Sequence, residues 1–69
     1  MKPADIARKV NGYLERGANA FIFTRSATLH VDRIVRTESG RFALYYKGVQ
    51  YGTVDPEAVT AVEEGGRLL

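Results

Sequence analysis

The sequence has no cysteine, no tryptophan, one histidine, one methionine and two prolines. Each shortage removes a class of chemistry. Without cysteine there is no disulfide framework, no thiolate metal ligand and no cysteine nucleophile. The single histidine, His30, leaves a zinc centre without its usual ligand set, so neither a metal nor a cofactor is expected. Glycine is present but never as G-x-G-x-x-G or as a Walker-type run, which argues against a phosphate-cradling loop. The apolar stretch near Ala20 to Phe23 is short, and no run approaches the ~20 residues of a membrane span, so no membrane partner is expected. No signal-peptide pattern or lipidation signal is read at either end. These absences lead to the expectation of a soluble cytoplasmic protein.

What is there fits one small globular domain over residues 1–69, with 45% hydrophobic and 26% charged residues. A chain of about this size buries only about 60% of its unfolded surface, which leaves little core to spare for a deep substrate cavity. Enzymatic function is therefore not expected.

Pro3 to Arg16 reads as an amphipathic helix, with Ile6, Val10, Tyr13 and Leu14 on one stripe. Pro3 suits the first helical position and Gly17 the left-handed position after the last turn. Ala20 to Thr24 is strand-like, rich in aromatic and β-branched residues. Thr28 to Thr37 alternates imperfectly because Arg33 interrupts the face made by Leu29, Val31 and Val35. A bulge near Asp32-Arg33 would reconcile this. Glu38 to Arg41 is a turn, Phe42 to Lys47 a strand, Lys47-Gly48 a tight turn and Val49 to Val54 the next strand. Asp55-Pro56-Glu57 starts a helical turn. Residues 56–58 are read as one turn and Val59 to Glu63 as a short strand, the alternative being a two-turn helix from Pro56 to Glu64.

The expected fold class is α+β, with one N-terminal helix packed on a four- to five-stranded antiparallel meander. The expected core is Ile6, Val10, Tyr13, Leu14, Phe21, Phe23, Leu29, Val31, Val35, Phe42, Leu44, Tyr46, Val49, Tyr51 and Val62. The Ala20 to Thr24 strand would leave an open edge able to pair with a second copy.

The modest net charge of +2 hides a polarity. Residues 1–54 hold nine basic and four acidic residues, a net of +5, and residues 55–69 hold one basic and four acidic, a net of −3. Alternation places Arg41, Tyr45 and Lys47 on one outer sheet face, and Arg36 and His30 lie on neighbouring strands. Arg and Tyr are the side chains enriched at protein–protein hot spots. The same residues could also meet a phosphate backbone and stack bases. The candidate partner-binding set is Arg36, Arg41, Tyr45, Lys47 and His30, and no catalytic set emerges. A His30–Asp32 pair could orient a base toward Ser26 or Thr28, but an exposed polar pair on a solvated face explains it as well.

Chain length, the lone N-terminal helix and the run Gly40-Arg41-Phe42-Ala43-Leu44-Tyr45-Tyr46-Lys47 before a hairpin turn resemble the small phage-encoded anti-CRISPR proteins. That resemblance implies a compact α+β chain, acting in the host cytoplasm, that inhibits a CRISPR surveillance complex by binding it. The partner would be a host protein or ribonucleoprotein complex, with nucleic acid as the alternative. A small structural component of a phage particle is a third reading. The segment Tyr51 to Glu64, in which a Pro-led turn precedes the closing strand, resembles the end of an SH3-like small β-barrel. This implies such a barrel with an N-terminal helix as the alternative fold. Neither resemblance assigns a functional residue by position.

Overall fold

Pro3 at the first helical position and Gly17 just beyond the last turn bracket a helix, α1, at Pro3–Glu15. Gly17 takes a φ of +75°, and its N–H donates to the Leu14 carbonyl. This is the left-handed close that the sequence leads one to expect. The structure is a computed structural model that describes residues 1–67. Among the described residues six strands follow the helix: β1 (Ala18–Thr24), β2 (Thr28–Val31), β3 (Arg33–Arg36), β4 (Phe42–Tyr46), β5 (Val49–Val54) and β6 (Val59–Arg67). A 3-10 turn at Pro56–Ala58 joins the last two. Asp55 caps that turn by accepting from the Glu57 N–H at 3.0 Å, while Pro56 supplies a pre-set φ.

The strands form two antiparallel three-stranded sheets, ordered β2-β1-β6 and β3-β4-β5. The α+β class with an N-terminal helix is as the sequence implies, but two details differ from a simple meander. The Thr28 to Thr37 stretch is split at Asp32, where the alternation implies only a bulge, so that its halves serve different sheets. The Asp32 N–H donates to the Tyr45 carbonyl at 3.0 Å, which carries the chain from the first sheet into the second. Then β6 returns to pair with β1, so Ala20 to Thr24 lies in the centre of its sheet and offers no open edge. The Pro-led turn before the closing strand is the element shared with the small-barrel alternative.

Lys47 and Gly48 both take positive φ, 53° and 80°. Two such residues make the hairpin turn whose twist matches that of the strands it joins. The Lys47 N–H is held by Asp32 Oδ2 at 2.8 Å.

The core is built from Ile6 and Val10 of the helix, Ala20 and Ile22 of β1, Val31, Phe42, Leu44, Val54, Val59 and Val62. Tyr13, Leu14, Leu29 and Ile34 pack partly against it. The expected inward face of β1 is reversed. Ala18, Ala20 and Ile22 are buried, and Phe21 and Phe23 lie on the other face. Small side chains at Ala18 and Ala20 let the helix sit close to the sheet, which the phenylalanines would prevent. Val35, Val49 and Tyr51 are likewise outside the core. Val35 pairs with Ala43 on the outer face of the second sheet. Val49 and Tyr51 are 64% and 47% exposed because β5 runs past the end of the core and is bulged at Tyr51, between the Leu44–Gly52 and Tyr45–Gln50 pairs.

Candidate interaction face

The second sheet turns one face to the core; on its other face Ala43 is buried, Val35 and Tyr45 are half-buried and Arg33 is exposed. Ile34, Phe42, Leu44 and Val54 point toward the core. The alternate residues Arg33, Val35, Ala43, Tyr45 and Thr53 fall together on the outer side, through the register pairs Arg33–Tyr45, Val35–Ala43 and Ala43–Thr53. The Arg33 guanidinium lies 5.1 Å from the centre of the Tyr45 ring. Arg41 continues this face. Its Nε donates to Thr53 Oγ1 at 3.1 Å, and one of its terminal nitrogens is 3.9 Å from Asp55 Oδ2. A cation stacked on an aromatic ring and a second cation tethered to a hydroxyl lose little rotamer freedom on binding, so the face is partly preorganised.

The five residues expected to share a site are not all on one surface. Arg41 and Tyr45 are together, joined by Arg33. Arg36 pairs with Phe42, on the opposite side of the sheet, where its guanidinium sits 5.3 Å from the Phe42 ring and its Nε donates to the Gly40 carbonyl. Lys47 is in the hairpin turn, its ammonium 5.6 Å from the Tyr46 ring. His30 is on the first sheet. Its ring stacks on Phe21 at 4.6 Å and meets Tyr46 at 4.5 Å, so it forms a seam between the two sheets. His30 Nε2 is buried and has no hydrogen-bond partner among the described residues. Asp32, the partner considered for it, is engaged instead by the Lys47 backbone. No His30–Asp32 base geometry is formed, and His30 reads as a packing residue.

Arg33 is the functional candidate that sequence reasoning left out. The signal was present, since it is the residue that breaks the apolar alternation of residues 28–37. Assigning the break to a bulge within one strand hid its consequence. A full change of sheet at Asp32 puts Arg33 opposite Tyr45.

A groove of about 440 Å³ opens beyond the Arg41 end of this face, between the turn at residues 24–27 and the 3-10 turn. Leu29, Val54 and Ala58 line it alongside two cations, Arg25 and Arg41, and two anions, Asp55 and Glu57. Among the described residues no group of three or more His, Asp or Glu side chains is arranged to hold a metal ion. Among the same residues no helix is long and apolar enough to cross a membrane.

The charge polarity of the sequence is partly cancelled in space. Glu64 on β6 forms an ion pair with Arg16 at the end of α1, which raises the Arg16 pKa through the hydrogen bond and the opposite charge. Asp55 approaches Arg41. The acidic tail therefore folds back onto the basic part, and Arg33 is left on the outer face with an aromatic partner and no ion pair among the described residues. Compared with known family models, curated proteins and solved structures, the chain matches none.

Proposed function

We propose that the protein is a non-catalytic binding module that docks the outer face of its second sheet onto a larger assembly. Inhibition of a CRISPR surveillance complex by a phage- or mobile-element-encoded chain is the concrete case. The observation that carries this reading is the Arg33–Tyr45 stack, flanked by the tethered Arg41, on the side of the second sheet turned away from the core. Arg and Tyr are hot-spot residues because they combine large contact area with directional donors, and a planar guanidinium suits carboxylate or phosphate groups. A domain of this size can offer the ~800 Å² per partner of a standard interface.

The test is a phage-plating assay in a strain with an active CRISPR system. Expression of the chain should restore plaque formation, and Arg33→Ala combined with Tyr45→Ala should abolish it while leaving the circular dichroism spectrum unchanged. If the double variant protects phage as well as the parent does, the assigned face is wrong.

A second reading, nucleic-acid binding, draws on the same face, because Arg33 sits over the Tyr45 ring there. It requires affinity for single strands that falls steeply with salt. A flat salt response would exclude it.

A further inference from the structure

We infer that β5 is a self-pairing edge through which two copies of this chain associate about a two-fold axis. The inference goes beyond the binding role above and does not depend on it. β5 is the terminal strand of the second sheet, and among the described residues its only strand partner is β4. Protein sheets normally guard such an edge with a charge, a proline or a covering element. The six residues Val49-Gln50-Tyr51-Gly52-Thr53-Val54 contain no charge and no proline. The large hydrophobic residues left exposed among the described residues, Val49 and Tyr51, are both on this strand. The bulge at Tyr51, whose hydroxyl donates to the His30 carbonyl at 2.6 Å, leaves Val49, Gln50, Thr53 and Val54 paired with β4 on either side of it.

The occupant is identified by charge. Lys47 stands just before β5 and Asp55 just after it. An antiparallel pair formed about the middle of the strand sets the Lys47 end of one copy against the Asp55 end of the other, twice. Lys47 makes no ion pair within the domain among the described residues, and the Asp55 side chain is half exposed. The other strands lack this self-complementarity. β3 has an arginine at each end, so its two-fold pair would oppose Arg33 and Arg36. β6 carries Glu63 and Glu64 side by side, and its first carbonyl, that of Val59, accepts from the Met1 nitrogen at 2.9 Å. Like charges directly opposite destabilise a strand pair, and opposite charges support it.

The product is a six-stranded sheet formed from two three-stranded ones. A two-fold axis normal to a sheet keeps corresponding faces on the same side, so both Arg33–Tyr45 faces would point the same way. A pairing confined to one strand buries less than a standard interface, so the Kd is expected to be about micromolar or weaker.

Sedimentation velocity on the purified chain, from low micromolar to near-millimolar concentration, should show a shift from monomer to dimer. Val49→Lys should weaken the dimer by about tenfold or more, because the substitution enters the pair twice. Lys47→Glu, which sets a carboxylate against the partner copy's Asp55, should weaken it as well. Arg33→Ala, on β3 and away from β5, should leave it unchanged, which separates failure of this inference from failure of the docking face. If a variant does not fold, amide exchange on the parent decides the matter, since protection at residues 49–54 should rise with concentration. A monomer at every concentration, dimerisation unaffected by both Val49→Lys and Lys47→Glu, or no concentration-dependent protection would overturn the proposal.

Discussion

The two sheets have the same number of strands and opposite chemistry. In the first, β1 is central, its Ala18, Ala20 and Ile22 are buried, and the helix covers it. In the second, the central strand β4 buries Phe42 and Leu44 on one side and presents Tyr45 on the other, with Arg33 and Arg41 beside it. Stability is concentrated where the helix meets the first sheet, and the docking proposed above uses the outer side of the second. A chain this small has one apolar core, so a binding surface must come from a sheet face that the core does not need. The contrast can be broken most forcefully at Ile22, which is fully buried between the helix and the remaining core. Ile22→Ala should lower unfolding free energy by about 2–5 kcal/mol in chemical denaturation, whereas Arg33→Ala on the second sheet should change it by no more than about 0.5 kcal/mol. Equal losses at the two positions would show that the sheets do not divide the work in this way.

The next effect in size sharpens the contrast from within the first sheet. The Asn19 side chain is buried, and its Oδ1 has no hydrogen-bond partner among the described residues. It occupies the space that a side chain at Gly65 would need. A Cβ there would stand 2.1 Å from Asn19 Oδ1 and 3.2 Å from both the Asn19 carbonyl and the Phe21 ring. Gly65→Ala should therefore cost about 1–3 kcal/mol by overpacking. Asn19→Ala in the same chain should relieve much of that cost, so the double variant should be less destabilised than the two single effects added together. Strict additivity would mean that Asn19 and Gly65 do not share this space.

This part of the molecule also shows what a sequence of this kind can and cannot reveal. The helix, the turn at Gly40, the hairpin at Lys47-Gly48 and the Pro56–Ala58 turn were legible because each depends on local backbone chemistry that specific residues announce. The inward face of β1 was not. Residues 18–23 alternate between two apolar sets, Ala18, Ala20, Ile22 and Phe21, Phe23, and size alone favours the phenylalanines. The decision is tertiary, since the helix needs small neighbours and the phenylalanines find their own cover, Phe21 against His30 and, through it, Tyr46. The site was half legible for a related reason. Arg41 and Tyr45 lie within one stretch of chain, where the period of two can be counted, whereas Arg33 joins them through a change of sheet at Asp32 that the broken alternation marks but does not distinguish from a bulge. Arg36, counted with them, is one position out of phase with Arg33 and Val35 and so faces the other way.

The smallest effect probes the seam where the two sheets meet. Tyr51 on β5 donates its hydroxyl proton to the His30 carbonyl on β2 at 2.6 Å. Partial burial, and secondarily the negative charge of Asp32, raise the Tyr51 pKa above its ordinary value. The protonated form is the one that donates, so the folded state holds this proton more tightly than the unfolded chain does. The stabilisation is complete below the unfolded pKa of about 10 and is lost as the pH climbs through the raised folded value. Tyr51→Phe removes the donor at every pH and should cost about 0.5–1.5 kcal/mol at neutral pH. Measured at low protein concentration, so that pairing of β5 does not contribute, the gap between parent and variant should stay constant up to about pH 10 and narrow above it. No gap at neutral pH would mean that Tyr51 joins the sheets by packing alone, and the stacked His30 would then be the bond between the two sheets.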